Sequence, residues 1–345
     1  MKILVVAPSW IGDALLSQPL LTRLQQQNPL ACIDILAPGW ALPVFRRMPE
    51  VNDTIDSPFA HGQLALVKRW RLARSLVSRR YQRAYVLPNS FKSALVPQFA
   101  GIPERIGFVG EARRCLLTDA RRLDQGALPR MVDRFAHLAD PSGSAVSAGL
   151  PYPQLKVGAD ERAKVLADLG LAPAPRLICF CPGAEYGPAK RWPAQSFGEL
   201  ATALAAEGIT VWIVGSAKER EIGEKIRAAS AGAAVNLCGR TSLDQAVVIL
   251  SAADLVVSND SGLMHVAAAL DRPLMALYGS SSPAFTPPLS RHAQVIKLDL
   301  PCSPCFQRSC PLGHFDCMMK LTPQLVLARI HASSPCDQRG DRTAW

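Results

Sequence analysis

At 345 residues, of which 49% are hydrophobic, the chain is about twice the usual size of a domain and has material for two cores. Its 38 Lys and Arg against 28 Asp and Glu leave a net charge of +10, which favours an anionic partner: nucleic acid, an acidic membrane face or a phosphorylated glycan. The same composition argues against a membrane-spanning chain. The best apolar candidate, residues 266–278, is interrupted by Asp271-Arg272-Pro273 and falls short of the roughly 20 residues a membrane helix needs.

In chain order, the start has one positive charge and a very short apolar run, Ile3-Leu4-Val5-Val6-Ala7, without the length or cleavage site of a signal peptide. A cytosolic chain is expected, with its ten cysteines as thiols or ligands rather than structural disulfides. Residues 3–7 read as a buried strand, 8–12 as a turn and 14–27 as an amphipathic helix. Short apolar strands follow at 33–37 and 84–87, with a strongly basic helix at 67–81 between them. The small, polar, proline-punctuated stretch 140–153 is the expected linker between domains 1–150 and 151–345. After a helix at 160–169 the pattern resumes: strands at 177–180, 211–214 and 235–237 alternate with helices at 194–206, 218–229 and 243–252. A strand at 255–257 and a helix at 263–270 close the series. Such alternation implies parallel sheets with right-handed crossovers, hence two Rossmann-like domains facing a central cleft. The polar tail from Ser333 is expected to lack order.

Three turns carry the chemistry. Gly12-Asp13 lies where the first strand meets the first helix, and lacks the spacing of a dinucleotide fingerprint. Asp13 there is either a cap or a general base within reach of an acceptor hydroxyl. The turn after residue 180, Cys181 to Pro193, offers Gly183 for close backbone approach and Lys190 as a point charge for a leaving phosphate. In Asn259-Asp260-Ser261-Gly262-Leu263-Met264-His265 a strand, a tight turn and a helix start follow one another, an arrangement suited to a diphosphate. Asp and Ser are also ordinary helix N-caps, so both readings of this motif stand. Glu219 follows a further strand on the same sheet edge and Thr241 ends another; Glu219 either accepts hydrogen bonds from ribose or sugar hydroxyls or steadies a helix start.

These segments together resemble one family. Gly12-Asp13, Gly183-Ala184 followed after five residues by Lys190-Arg191-Trp192, the Asn259–His265 motif and the run Cys302 to Met318 are similar to those of the ADP-heptose:lipopolysaccharide heptosyltransferases of glycosyltransferase family 9. The likeness covers all but about the last dozen residues and is greatest to the members that add the second heptose of the inner core. It implies an α/β GT-B fold and an inverting transfer of heptose from ADP-heptose to the first heptose of heptose-Kdo2-lipid A, with Asp13 as base and Lys190 stabilising the departing ADP. It further implies donor contacts at Glu185, Tyr186, Glu219, Thr241, Asp260, Ser261, Gly262 and His265. Glu185 and Tyr186 replace two threonines of the members that add the first heptose, so Glu185 must turn from the diphosphate or meet a cation. Acceptor contacts are expected at Ser9, Trp10, Lys68, Arg69 and Arg71, where the basic stretch meets acidic Kdo and phosphate groups, with Arg113, Arg114, Arg121 and Arg122 extending the groove.

The resemblance implies no cofactor and no metal. Cys302, Cys305, Cys310 and Cys317, with His314 among them, offer four thiols for a structural zinc, at a spacing unlike a common zinc ribbon, so both readings stand. A monomer at the cytoplasmic face of the inner membrane, without a nucleic-acid partner, is expected. Other readings are a heptosyltransferase with a different core acceptor, a nucleotide-sugar epimerase of the same fold, and a basic nucleic-acid-binding protein. Only 6% aromatic residues and no recognition motif count against the last.

Overall fold

A computed structural model describes residues 1–59, 62–145 and 149–333. The chain divides into two compact units, the first Met1–Lys156 with Ala284–Leu289, the second Val157–Pro283 with the described residues from Ser290 on. Part of the expected linker and nearly all of the expected tail lie outside the described residues.

The first unit contains β1 (Lys2–Val6), β2 (Cys32–Ala37), β3 (Val51–Asp56), β4 (Arg83–Val86), β5 (Glu104–Phe108) and β6 (Asp119–Arg121). They form one parallel sheet in the order β3-β2-β1-β4-β5-β6. The second contains β7 (Leu177–Cys181), β8 (Thr210–Ile213), β9 (Ala234–Asn236), β10 (Leu255–Asn259), β11 (Leu274–Leu277) and β12 (Ala293–Ile296). Its order, β12-β11-β10-β7-β8-β9, is the same winding, and all its pairings are parallel. In each sheet the strand order reverses beside the first strand, between β1 and β4 and between β7 and β10. That reversal opens a crevice at the carboxyl edge, where open α/β sheets take ligands.

The central strands are apolar on both faces because helices cover both: Ile3, Leu4 and Val5 of β1 and Cys179, Phe180 and Cys181 of β7 are fully buried. Around β7, Trp192 packs edge-on against Phe197 at 4.7 Å and donates its indole N–H to the Leu321 carbonyl at 2.7 Å. The helix expected at 14–27 is two, Ile11–Leu16 and Gln18–Gln27. Pro19 lacks the N–H that a continuous helix would bond, which divides the run at Ser17. The basic helix runs Leu66–Leu76 and ends in a 3₁₀ turn, Val77–Arg79.

Two arginines assigned to the acceptor groove belong to the core instead. Arg113 is fully buried, and its guanidinium donates to the carbonyls of Pro88, Val86 and Phe108, to Ser93 Oγ at 3.0 Å and to Asn89 Oδ1 at 3.1 Å. It knits the turns that follow β4 and β5, and burial pushes its pKa down to about 10. Arg121 is 8% exposed, bonded to Asp119 at 2.7 Å and to the His137 carbonyl at 3.0 Å. Arg114 and Arg122 face solvent. Removing the Arg113 side chain strands several buried acceptors at once. In urea unfolding, Arg113→Ala is expected to lower stability by about 3 kcal/mol or more; a loss below about 1 kcal/mol, the worth of one bond, would contradict this role.

Candidate active site

In the second unit, five turns meet at the carboxyl edge of the sheet. After β10 the backbone passes through Asp260 and Ser261 into the helix Gly262–Ala269. Ser261 occupies the N-cap position in an extended conformation, yet its side chain makes no cap bond and lies 3.4 Å from Ser258 Oγ. Asp260 is 5% exposed and engaged elsewhere: Lys190 Nζ and Ser281 Oγ both donate to its Oδ2 at 2.5 Å. The capping reading of the motif therefore fails. The Ser261 side chain leaves the first N–H groups of this helix without a cap bond, and its positive end stands beside a fixed ammonium group.

Lys190 is brought there by the turn after β7. Asn259, fully buried at the end of β10, accepts from the Trp192 backbone N–H at 3.1 Å and donates to the Pro182 carbonyl at 2.8 Å, so it clamps both ends of that turn. The Tyr186 ring lies 5.2 Å from Lys190 Nζ and 5.3 Å from the Arg308 guanidinium, with its hydroxyl on the Phe306 carbonyl at 2.8 Å. Glu185 does meet a cation: Lys218 Nζ binds its Oε1 at 2.5 Å, in solvent. Glu219, 8% exposed, closes a capping box in which Ser216 N–H and Oγ both donate to its Oε2, while Oε1 accepts nothing among the described residues. Its carboxylate packs on Gly183, where a Cβ would come within 3.0 Å of Glu219 Cγ. Thr241, just before the capping box that opens Leu243–Ala252, keeps a buried hydroxyl without a hydrogen-bond partner among the described residues.

His265 is 5% exposed on the second turn of its helix. Burial drives its pKa from 6.5 to about 4 against the opposing pull of Asp260, so the ring is neutral at physiological pH. On acidification the unfolded chain takes up this proton first. The contribution to stability is thus complete above pH 6.5 and is lost as pH falls from 6.5 to 4. Against the wild type, His265→Gln is expected to shrink the loss of unfolding free energy between pH 7 and pH 4.5 by about 2 to 3 kcal/mol; identical slopes in the two proteins would refute the assignment.

In the first unit Asp13 lies in the first turn of Ile11–Leu16, with Trp10 extended ahead of it and 51% exposed, and with the Ser9 carbonyl accepting from Trp40 Nε1 at 3.2 Å. Lys68 and Arg71 point outward. Arg69 does not: at 6% exposure it donates to the Leu64 and Gln63 carbonyls and lies 4.0 Å over the Phe59 ring. It shares the inner face with Ala73 and Leu76, four and seven residues on, so the acceptor contact expected of it is withdrawn. The cysteines of the 302–317 cluster line a cavity of about 20 Å³. Among the described residues no group of three or more His, Cys, Asp or Glu is arranged to hold a metal ion. No helix of the described residues is long and apolar enough to cross a membrane. Sequence reading missed Asn259 and Ser281 as working parts. Both follow apolar strands on the same edge, which is the signal that marks them.

Two parallel sheets of the same Rossmann order, with a part-buried Lys190 paired to the buried Asp260 at the edge of the second, have the α/β architecture of a GT-B-type glycosyltransferase. The sequence profile of glycosyltransferase family 9 (heptosyltransferase) matches residues 69–316. The chain belongs to that family. Lipopolysaccharide heptosyltransferase 2 of Salmonella typhimurium is 49% identical over 96% of this chain and 98% of its own length. Lipooligosaccharide heptosyltransferase 2 of Haemophilus ducreyi is 41% identical, over 97% and 100%. The solved Escherichia coli ADP-heptose lps heptosyltransferase II superposes with a TM-score of 0.88 at 48% identity, covering 96% of this chain and 98% of that one.

Proposed function

We propose that this glycosyltransferase moves a heptose from ADP-heptose to the first heptose of the lipopolysaccharide inner core, with inversion at the anomeric carbon. The observation that carries this reading is the Lys190–Asp260–Ser281 cluster beside the start of Gly262–Ala269, which holds an ammonium group in place next to helix N–H donors of the kind a diphosphate uses. The acceptor oxygen forms its bond to the anomeric carbon while the bond from that carbon to the diphosphate oxygen breaks, and ADP leaves with the electron pair. Asp13 takes the hydroxyl proton. Lys190 and the helix N–H groups meet the charge that grows on ADP. The partnerless Thr241 hydroxyl and Glu219 Oε1 supply a donor and an acceptor for the nucleoside, and neutral His265 offers a hydrogen bond to the sugar or diphosphate without adding charge. Ser9, Trp10, Lys68 and Arg71 serve the acceptor, whose lipid anchor holds the enzyme at the membrane surface.

Purified protein, ADP-heptose and heptose-Kdo2-lipid A are expected to yield a product heavier by one heptose in the mass spectrum, with no transfer to Kdo2-lipid A. Transfer to the heptose-free acceptor alone would instead assign the addition of the first heptose. No transfer to either would refute the reading.

A further inference from the structure

The helix Leu66–Leu76 buries Arg69, Ala73 and Leu76 and turns an unusual combination outward. Leu66 is 47% exposed, Val67 61% and Trp70 52%, and Leu64 just before and Val77 just after are 47% and 43% exposed. At about 100° per residue, Leu66, Val67, Trp70 and Val77 fall in one stripe roughly a quarter-turn wide. Arg74 lies within that stripe, Arg71 about 40° and Lys68 about 100° beyond its edge, and all three are exposed. None of the three has an ion-pair partner among the described residues, and no Asp or Glu occurs from residue 57 to residue 103. A protein-binding patch is ordinarily depleted of lysine and isolates its apolar centre from charge. Tryptophan and aliphatic side chains bordered by unpaired cations are instead the composition of a helix lying in a lipid headgroup layer, where the rings enter the acyl boundary and the cations meet lipid phosphates.

We propose that the outward face of residues 64–77 is the surface by which the enzyme lies on an anionic phospholipid bilayer. The inference rests on the proposed lipid-anchored acceptor, since that substrate gives bilayer docking a purpose. Charge complementarity selects this occupant: each cation near an anionic surface strengthens binding by about fivefold.

The test is co-sedimentation with vesicles of phosphatidylcholine containing phosphatidylglycerol, and of phosphatidylcholine alone, in the absence of donor and acceptor. The wild type is expected to bind the anionic vesicles about tenfold or more tightly than the neutral ones, and to be released by high salt. The double variant Val67→Ser/Trp70→Ser, both sites being exposed, is expected to keep the wild-type melting temperature and to lose about tenfold or more in vesicle affinity. Its turnover on a deacylated, water-soluble acceptor is expected to stay within about twofold of wild type, because these side chains lie outside the groups assigned to catalysis and acceptor binding. Undiminished vesicle binding by the variant, equal binding to both vesicle types, or a wild-type dimer that the two substitutions dissociate would overturn the proposal. Failure of the wild type to use the deacylated acceptor would count against the transferase reading, while the vesicle result still decides the docking surface.

Discussion

Replacing Asp13 by asparagine is expected to cut turnover by about 10²- to 10⁴-fold while leaving ADP affinity within about twofold of wild type. Asparagine keeps the shape and the hydrogen-bonding reach of the side chain in the first turn of Ile11–Leu16, but it cannot accept the acceptor's proton. The proposed donor groups, by contrast, all belong to the second unit. The effect should therefore fall on kcat and on the acidic limb of the pH–rate profile, which the asparagine variant is expected to lose. Calorimetry with ADP and a kcat profile across pH measure the two sides. Weakened ADP binding with unchanged turnover would remove Asp13 from the role of base.

Lys190→Met is expected to raise the barrier by about 2 to 4 kcal/mol, a rate loss of about 30- to 1000-fold, and to weaken ADP binding as well. This substitution also acts on stability. Among the described residues Asp260, 5% exposed, would keep only the Ser281 hydroxyl as partner, and a buried carboxylate without its cation costs several kcal/mol unless it is protonated. The companion Asp260→Asn removes that cost. The double variant Lys190→Met/Asp260→Asn is expected to recover most of the lost melting temperature and none of the lost rate, which separates the structural part of the pair from its electrostatic part. Recovery of rate along with stability would mean that Lys190 serves only to hold Asp260 in place.

Most of the strands that sequence patterning found are covered on both faces; β9, expected at 235–237, is an edge strand, and the interior strand β11 was not read as one. β1, β2, β4, β7, β8 and β10 lie in the interior of their sheets and read as continuous apolar runs. Patterning missed β3, with Val-Asn-Asp-Thr-Ile-Asp, and β6, with Asp-Ala-Arg, because each is an edge strand with little to bury. β5 and β12 are short and mixed in polarity, and they take strand form only from a neighbour's backbone hydrogen bonds. Charge was the least legible quantity. Lys68, Arg69 and Arg71 are alike in a string of letters, yet the helical period turns Arg69 inward onto Phe59 and leaves the other two in water. Arg113, assigned to a surface groove by its charge alone, is among the largest fully buried side chains.

The sequence by itself determined the alternation of strand and helix, the two tandem units and the turns at which Asp13, Lys190 and Asp260 stand, because hydrophobic period and turn residues act over a few neighbours. It also carried the family, through motifs spread over nearly the whole chain. Only the tertiary structure decided that Lys190 and Asp260, 70 residues apart, form one ion pair, and that Ser281 joins them. The reason is that β7, β10 and β11 become neighbours by sheet winding, and a contact made by winding leaves no periodic trace in the chain.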